Sequence, residues 1–335
     1  MKRPSHKLLF GILTILCLGL LVLDLCTGSV RIGLRDIAAA LTGGECDAIT
    51  RDIILKIRLI KTVVAITAGA ALSACGLAMQ TLFRNPLAGP YVLGVSSGAS
   101  LGVALFLLGA PVLGITANSL LQSVGLVGAA WIGSAAILLL ILAVSRRIRD
   151  IMVILILGMM FSSAVGAVVQ ILQYLSNEAA LKAFVIWTMG SLGDVTATQL
   201  AVMLPIVCIG LLLSVMTIKP LNLLLLGENY ARTMGLDINR SRRAILLATV
   251  LLGGTVTAFC GPIGFVGLAV PHVSRMLFAT SDHRILMPAS MLLGAAVMLL
   301  CDILSKQLGF PVNTITALMG IPIVITVVVR KRSMF

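Results

Sequence analysis

Along most of this chain the apolar residues do not alternate with polar ones at the spacing of a helix face or a strand. They run in blocks of roughly 17 to 25 residues, the length of helix that crosses the hydrocarbon layer of a bilayer. The clear blocks are Leu8 to Cys26, Thr62 to Leu82, Val92 to Leu108, Leu120 to Val144, Ile151 to Tyr174, Leu200 to Ile218, Ala244 to Cys260, Leu286 to Leu304 and Thr314 to Val329. A further block, near Leu268 to Phe278, is short and interrupted by Pro271. Lipid offers backbone N–H and C=O groups no partner, so each block must be a helix that satisfies its own. The pattern predicts an all-α integral membrane protein of about ten transmembrane helices, a single transmembrane domain over residues 1–335. The first block follows Lys2, Arg3 and Lys7, but it is long enough to cross and no small-residue cleavage site follows Cys26, so it reads as a retained span.

The polar positions between the blocks orient them. The N-terminus, Arg84, the cluster Arg146, Arg147 and Arg149, the loop Lys219 to Arg243, the turn with Arg275 and Arg284, and the tail Arg330 to Arg332 hold 17 of the 25 Lys and Arg residues. These faces, both termini included, are predicted to be cytosolic. Six of the remaining eight lie in one outer segment, residues 31 to 61. Either an acidic partner outside or a solvated loop accounts for them.

Composition excludes other classes. With 59% hydrophobic and 11% charged residues, there are too few charged side chains to coat a soluble core. A net charge of +13 would point to nucleic acid in a soluble protein. Here the basic residues form short clusters between apolar blocks, with no basic stripe and interleaved aromatics, so lipid and not nucleic acid is the expected partner.

Small residues mark helix contacts. Gly94, Gly98 and Gly102 repeat at four-residue spacing, and Gly69 with Ser73, and Gly261, Gly264 and Gly267 around Pro262, follow the same logic. The stretches Gly69 to Gly102 and Gly253 to Gly294 echo each other weakly, as repeats in transporters do. No G-x-x-x-x-G-K-[ST] occurs, so no nucleotide is bound by that route.

Chemistry-bearing residues are sparse. Asp24 and Asp302 are the carboxylates well inside apolar blocks, and Asp302 has Lys306 four residues on, the spacing of a helix-face ion pair. Structural pairing is expected there over a proton relay. His6, His272 and His283 do not stand at metal-ligand spacing. His6 reads as a solvated tail residue, His272 as a satisfied buried one, and His283 as a helix-entry residue after an N-cap at Ser281 or Asp282. Ser96, Ser97 and Ser100 lack a partnering base. The seven cysteines show neither disulfide nor metal spacing. Residues 219–243 contain two short amphipathic pieces, Leu221 to Leu226 and Glu228 to Met234, ended by Gly227 and Gly235. Their leucines, tyrosine and arginines make either a knob for a groove in a soluble partner or a membrane-surface helix.

Four ordered stretches carry a family resemblance: GAALSACGLAMQTLFRNPLAGPYVLGVSSGASLG from Gly69, LGENYARTMGLDI from Leu226, GPIGFVGLAVPHVSRMLFATSDHR from Gly261 and TALMGIPIVI from Thr316. They resemble the FecCD/BtuC-type permeases of ABC importers for ferric siderophores, haem and cobalamin, from about Arg58 to the C-terminus. The resemblance implies a ten-helix permease subunit of a bacterial inner (cytoplasmic) membrane importer, itself no enzyme and without cofactor or metal. It would pair with a second permease subunit, like or unlike itself, bind two separate ATPase subunits inside and receive an iron complex from a periplasmic binding protein. Cobalamin is the alternative cargo, and an ion-coupled secondary transporter is the alternative class.

By the same resemblance, Gly227, Glu228, Tyr230, Ala231, Arg232 and Gly235 would insert into a cleft of the ATPase. Arg58, Lys61 and Lys306 would dock acidic residues of the binding protein; where the family carries R-L-P-R this chain reads Arg58, Leu59, Ile60, Lys61. The pathway would run along the fifth and tenth spans, with Asp150, Ile151 and Met152 at a cytosolic gate and Gly158, Ser162, Ser163, Gly166 and Gln170 as a weakly polar lining. Pro311, Val312 and Asn313 depart from the family's Pro, hydrophobe, Gly, a change expected to bear on the outer mouth.

Overall fold

A computed structural model of the chain describes residues 5–30, 32–89, 91, 94–109, 119–147 and 151–332. Its elements are helices α1 (His6–Cys26), α2 (Leu34–Thr42), α3 (Ala48–Asp52), α4 (Leu59–Leu82), α5 (Val95–Ala104), α6 (Ser119–Arg147), α7 (Ile151–Leu175), α8 (Glu178–Thr188), α9 (Ala197–Met216), α10 (Ile218–Leu225), α11 (Glu228–Thr233), α12 (Ile238–Cys260), α13 (Val266–Phe278), α14 (His283–Leu308) and α15 (Val312–Arg332). Among the described residues there is no strand. Among the described residues, six helical stretches are long and apolar enough to cross a membrane, and the stretches from Val95, Gly125, Val266 and Val312 are shorter apolar helices.

The spans begin and end where local chemistry directs. Ser5, Thr196, Asp237 and Asp282 cap the N-termini of α1, α9, α12 and α14 with their side chains, each accepting a backbone N–H that has no partner within the helix. Thr196 and Gln199 complete a capping box. Of the two N-cap residues open before His283, the structure selects Asp282. α12 starts earlier than its apolar block, because its first turns, with Arg240, Arg242 and Arg243, lie in the polar loop.

Two features differ from the sequence reading. Helices α2, α3 and α8 are not apparent from hydropathy; Asp47 and Asn177, which cap α3 and α8, are the signals that could have found them. The helix of the second span begins well before its apolar block at Thr62. The helix runs unbroken from Ala48 to Leu82, through a π-helical turn at Ile53–Arg58. Ile60 stands where the family pattern has proline, so its N–H is kept and the helix continues through this point.

The core is built around α4, which is buried along most of its length and packs against α14, α13, α12 and α9. Glycines set the approach. A Cβ at Gly69 would lie 2.2 Å from the Gly294 carbonyl oxygen, and one at Gly76 only 1.5 Å from that of Gly267. The two echoing stretches of sequence are therefore packed against each other, backbone on backbone. Likewise Gly98 and Gly102 of α5 rest on Gly133 and Ala129 of α6. By contrast α1, α7 and α9 keep most of their apolar side chains on the surface.

Candidate functional site

The loop 219–243 folds as the glycines direct. α10 ends before Gly227 (φ +114°) and α11 ends before Gly235 (φ +81°), conformations that L side chains rarely adopt. Ala231 is fully buried and anchors α11, while Leu226, Tyr230, Arg232 and Met234 face outward. Glu228, at the first turn of α11, pairs with the buried Arg242 of α12 at 2.9 Å. Arg84, after α4, donates to the Leu224 carbonyl at 3.1 Å. The exposed surface is thus carried on a braced base.

Deeper bracing comes from Asn222, the polar residue within LNLLLL. Its amide nitrogen donates to Asp282 at 2.7 Å, and its oxygen accepts the His283 backbone N–H at 2.8 Å and lies 2.8 Å from the ring Nδ1. Nε2 of the same ring lies 2.8 Å from the Thr81 hydroxyl. His283 is 1% exposed, so it is a buried junction and more than a helix-entry residue. His272 is buried, as expected, with Nε2 2.7 Å from the Pro86 carbonyl oxygen. The ring of exposed His6 stacks over Phe278. Backbone N–H donation from Arg284 first, and the Asn222 amide second, hold the Asp282 carboxyl below the usual carboxylate range.

A cleft of about 760 Å³ opens beside this loop, lined by Phe83, Arg84, Met152, Leu226, Gly227, Glu228 and Tyr230 among others. It brings the candidate gate residue Met152, at the start of α7, to the candidate coupling residues. Ile151 opens the same helix, and Asp150 lies outside the described residues.

The candidate pathway lining on α7 divides between two faces. Ser163 and Gln170 are exposed on the same side as Met152, Ile156, Met159 and Met160. Ser162 turns toward Gly94 of the α5 N-cap, where Gly158 is buried, and Gly166 is half-buried. The hydroxyls of Ser162 and Ser163 donate to carbonyls of their own helix, at 2.9 and 3.1 Å. The outward face is therefore largely apolar.

At the opposite end of the molecule the three candidate docking bases are turned inward. Arg58 is 4% exposed and donates to the carbonyls of Leu25 and Cys26 at 2.6 and 3.0 Å, and to that of Val30. Lys306 reaches Asp24 at 2.7 Å and Asp302 at 2.8 Å, and Lys61 reaches the other oxygen of Asp302 at 3.0 Å. Both ammonium groups approach Asp302 off the direction of an aligned hydrogen bond, so charge attraction dominates there. Thr62 donates to Asp24 at 2.6 Å. The pairing expected of Asp302 with Lys306 is thus part of a larger network joining α1, α4 and α14. Of the three bases Lys61 has the most accessible side chain, 21% exposed. The basic residues Arg35, Arg51 and Lys56 share their segment with Asp36, Glu45, Asp47 and Asp52, so the surface they form is not basic; Arg31 lies outside the described residues. Asn313 accepts the Gly264 N–H at 3.0 Å, tying the start of α15 to the α12–α13 turn.

The chain matches the FecCD transport family over residues 15–330. It is 35% identical to a hemin transport system permease protein, HmuU, of Yersinia pestis, covering 98% of each chain. It is 36% identical to the vitamin B12 import system permease protein BtuC of Klebsiella pneumoniae, covering 99% of this chain and 96% of the relative. A molybdate import system permease protein, MolB, of Haemophilus influenzae is 33% identical over 96% of both. Among solved structures, the inward-facing conformation of a putative metal-chelate type ABC transporter superposes with a TM-score of 0.84 at 30% identity, covering 98% of this chain and all of that one. With its buried α4, its braced loop and its several apolar spans, this multi-pass, all-helical chain belongs to the FecCD transport family as a permease subunit of an ABC importer, with ATP hydrolysis left to a separate subunit.

Proposed function

We propose that the chain moves an iron complex, haem or a ferric siderophore, across the bacterial inner membrane from periplasm to cytoplasm. The observation that carries this reading is the full-length similarity to a hemin permease, joined to the exposed Leu226, Tyr230, Arg232 and Met234 on a braced base. Those side chains fit insertion into an ATPase groove, where a rigid knob transmits displacement that a mobile one would absorb. The outward faces of α7 and α15 keep Met152, Ile156, Ser163, Gln170, Leu318 and Ile325 exposed, which supports a second permease subunit packing there around the pathway. Lys61, with Lys306 and Arg58 behind it, is the proposed contact for an acidic residue of the binding protein. Cobalamin is the second reading, supported by 36% identity to BtuC.

The test is uptake into vesicles holding this chain and its cognate ATPase, with binding protein charged with hemin, a ferric siderophore or cyanocobalamin. ATP should drive uptake that an uncoupler spares. Uptake driven by an ion gradient with no ATPase present refutes the importer reading; ATP-driven uptake of cyanocobalamin alone selects the second cargo.

A further inference from the structure

Helices α4 and α14 run side by side and are fixed to each other at three depths. At one end Thr81 of α4 meets His283 of α14 at 2.8 Å. In the middle, Gly69 and Gly294 touch through their backbones, and a Cβ at Gly294 would fall 2.0 Å from the Ser73 hydroxyl. At the other end Lys61 of α4 meets Asp302 of α14 at 3.0 Å, and Lys306 ties Asp302 to Asp24 of α1. From Lys61 to Thr81, and from His283 to Asp302, each helix rises about 30 Å, the depth of the hydrocarbon layer. The pair therefore reaches from one face of the membrane to the other and is pinned at both.

The loop 219–243 is attached to the same pair. The Asn222 amide orientation is set because its nitrogen donates to Asp282, which leaves its oxygen toward His283. That oxygen can only accept, so ring Nδ1 carries the proton, and Nε2 faces the Thr81 hydroxyl, whose single proton it shares with the Leu77 carbonyl 3.0 Å from the same oxygen. One buried ring thus joins α10, α4 and α14. Arg84 adds a second tie from the end of α4 to the Leu224 carbonyl.

We propose that Asn222, His283 and Thr81 are positioning residues that clamp the coupling loop to the α4–α14 pair, and that this pair carries movement of the loop across the membrane to the outer bases Lys61 and Lys306. The proposal rests on the reading of residues 219–243 as the ATPase-contacting loop. A helix pair in backbone contact and pinned at both faces moves as one body. Linkage makes the effect reciprocal: a binding protein that pulls on the outer bases biases the loop by the same free energy.

The experiment is hydrogen–deuterium exchange on the assembled complex of permease and ATPases in nanodiscs, without nucleotide and with ATP plus orthovanadate. Peptides covering residues 228–234 report the loop, and peptides covering residues 34–52 report the outer face. In the unaltered chain both should change with nucleotide. In Asn222→Ala and in Thr81→Val, which keeps the volume and removes the hydroxyl, the loop should still respond while the outer response falls about fivefold or more, the lower range of allosteric coupling. Thr81→Ser should restore it, which distinguishes the hydroxyl's role from packing. An outer response undiminished in both Asn222→Ala and Thr81→Val, or absent from the unaltered chain while the loop responds, overturns the proposal. Failure of the unaltered chain to associate with the ATPase, or to respond at 228–234, overturns the importer reading instead.

Discussion

Lys306 is 10% exposed and stands between two carboxylates that are fully buried, Asp24 and Asp302. Two ammonium groups and two carboxylates make the cluster neutral, and neutrality is the condition under which charges are tolerated away from water. Removing one member leaves a buried charge without its partner. Lys306→Met should destabilise the fold by about 3–5 kcal/mol, and adding Asp24→Asn should recover part of that loss. Thermal unfolding in detergent across the four variants of this cycle measures it; a double variant whose loss equals the sum of the two single losses would show the two side chains to be independent. Lys61→Met tests the docking proposal at the same cluster. It should weaken capture of the binding protein in a salt-dependent way, and unaltered affinity refutes docking at that residue. Asp302 with Lys306 was legible from spacing alone. Asp24, on another helix, was visible as a lone carboxylate without its partner, because a contact between residues 282 positions apart leaves no local pattern.

At the scale of elements, contact between helices in lipid depends on the absence of side chains more than on their identity. Gly76 has its notional Cβ within 1.5 Å of a backbone oxygen that has nowhere to move, whereas Gly11 of α1 has nothing within 4 Å. Gly76→Ala should cost about 1–3 kcal/mol or more through forced separation of α4 from α13. Gly11→Ala should be neutral or stabilising by up to about 1 kcal/mol, through helix propensity alone. Thermal stability of the two purified variants compares them; equal stability would refute close packing at Gly76. The long helices themselves were readable, because each is a block of apolar residues, and α1, α9, α12 and α14 carry recognisable N-caps. The continuous helix through Arg58 was readable in principle from the replacement of proline by Ile60. Helices α2, α3 and α8 were not, because they are short and lack the long apolar run by which a span is recognised.

For the molecule as a whole, function depends on surfaces that the chain leaves to partners. Glu228 and Arg232 lie four residues apart on α11 and serve different ends. Glu228 is held by Arg242 within the fold, and Arg232 points outward. Arg232→Glu should reduce ATPase association several-fold while leaving thermal stability within about 0.5 kcal/mol of the unaltered chain, as surface substitutions do. Glu228→Ala should lower both stability and the ATP-driven transport rate. Co-purification with the ATPase and thermal unfolding separate the two, and full association by Arg232→Glu would remove that residue from the interface.

The sequence by itself determined the solvent, the helical class, the family and the bounds of the two short helices in the loop 219–243. Each of these is written locally, in runs of apolar residues, in glycines at helix ends, or in motifs of consecutive residues. Only the tertiary structure decided that Lys61 and Lys306 face inward onto Asp24 and Asp302, that Ser163 and not Ser162 is on the exposed face of α7, and that His283 joins the loop to two spans. Those outcomes depend on which helices become neighbours and how each is rotated about its axis. In a membrane that is set by close packing and by the need to give every buried charge an ionic or hydrogen-bonding partner, conditions that no single segment of the chain can express.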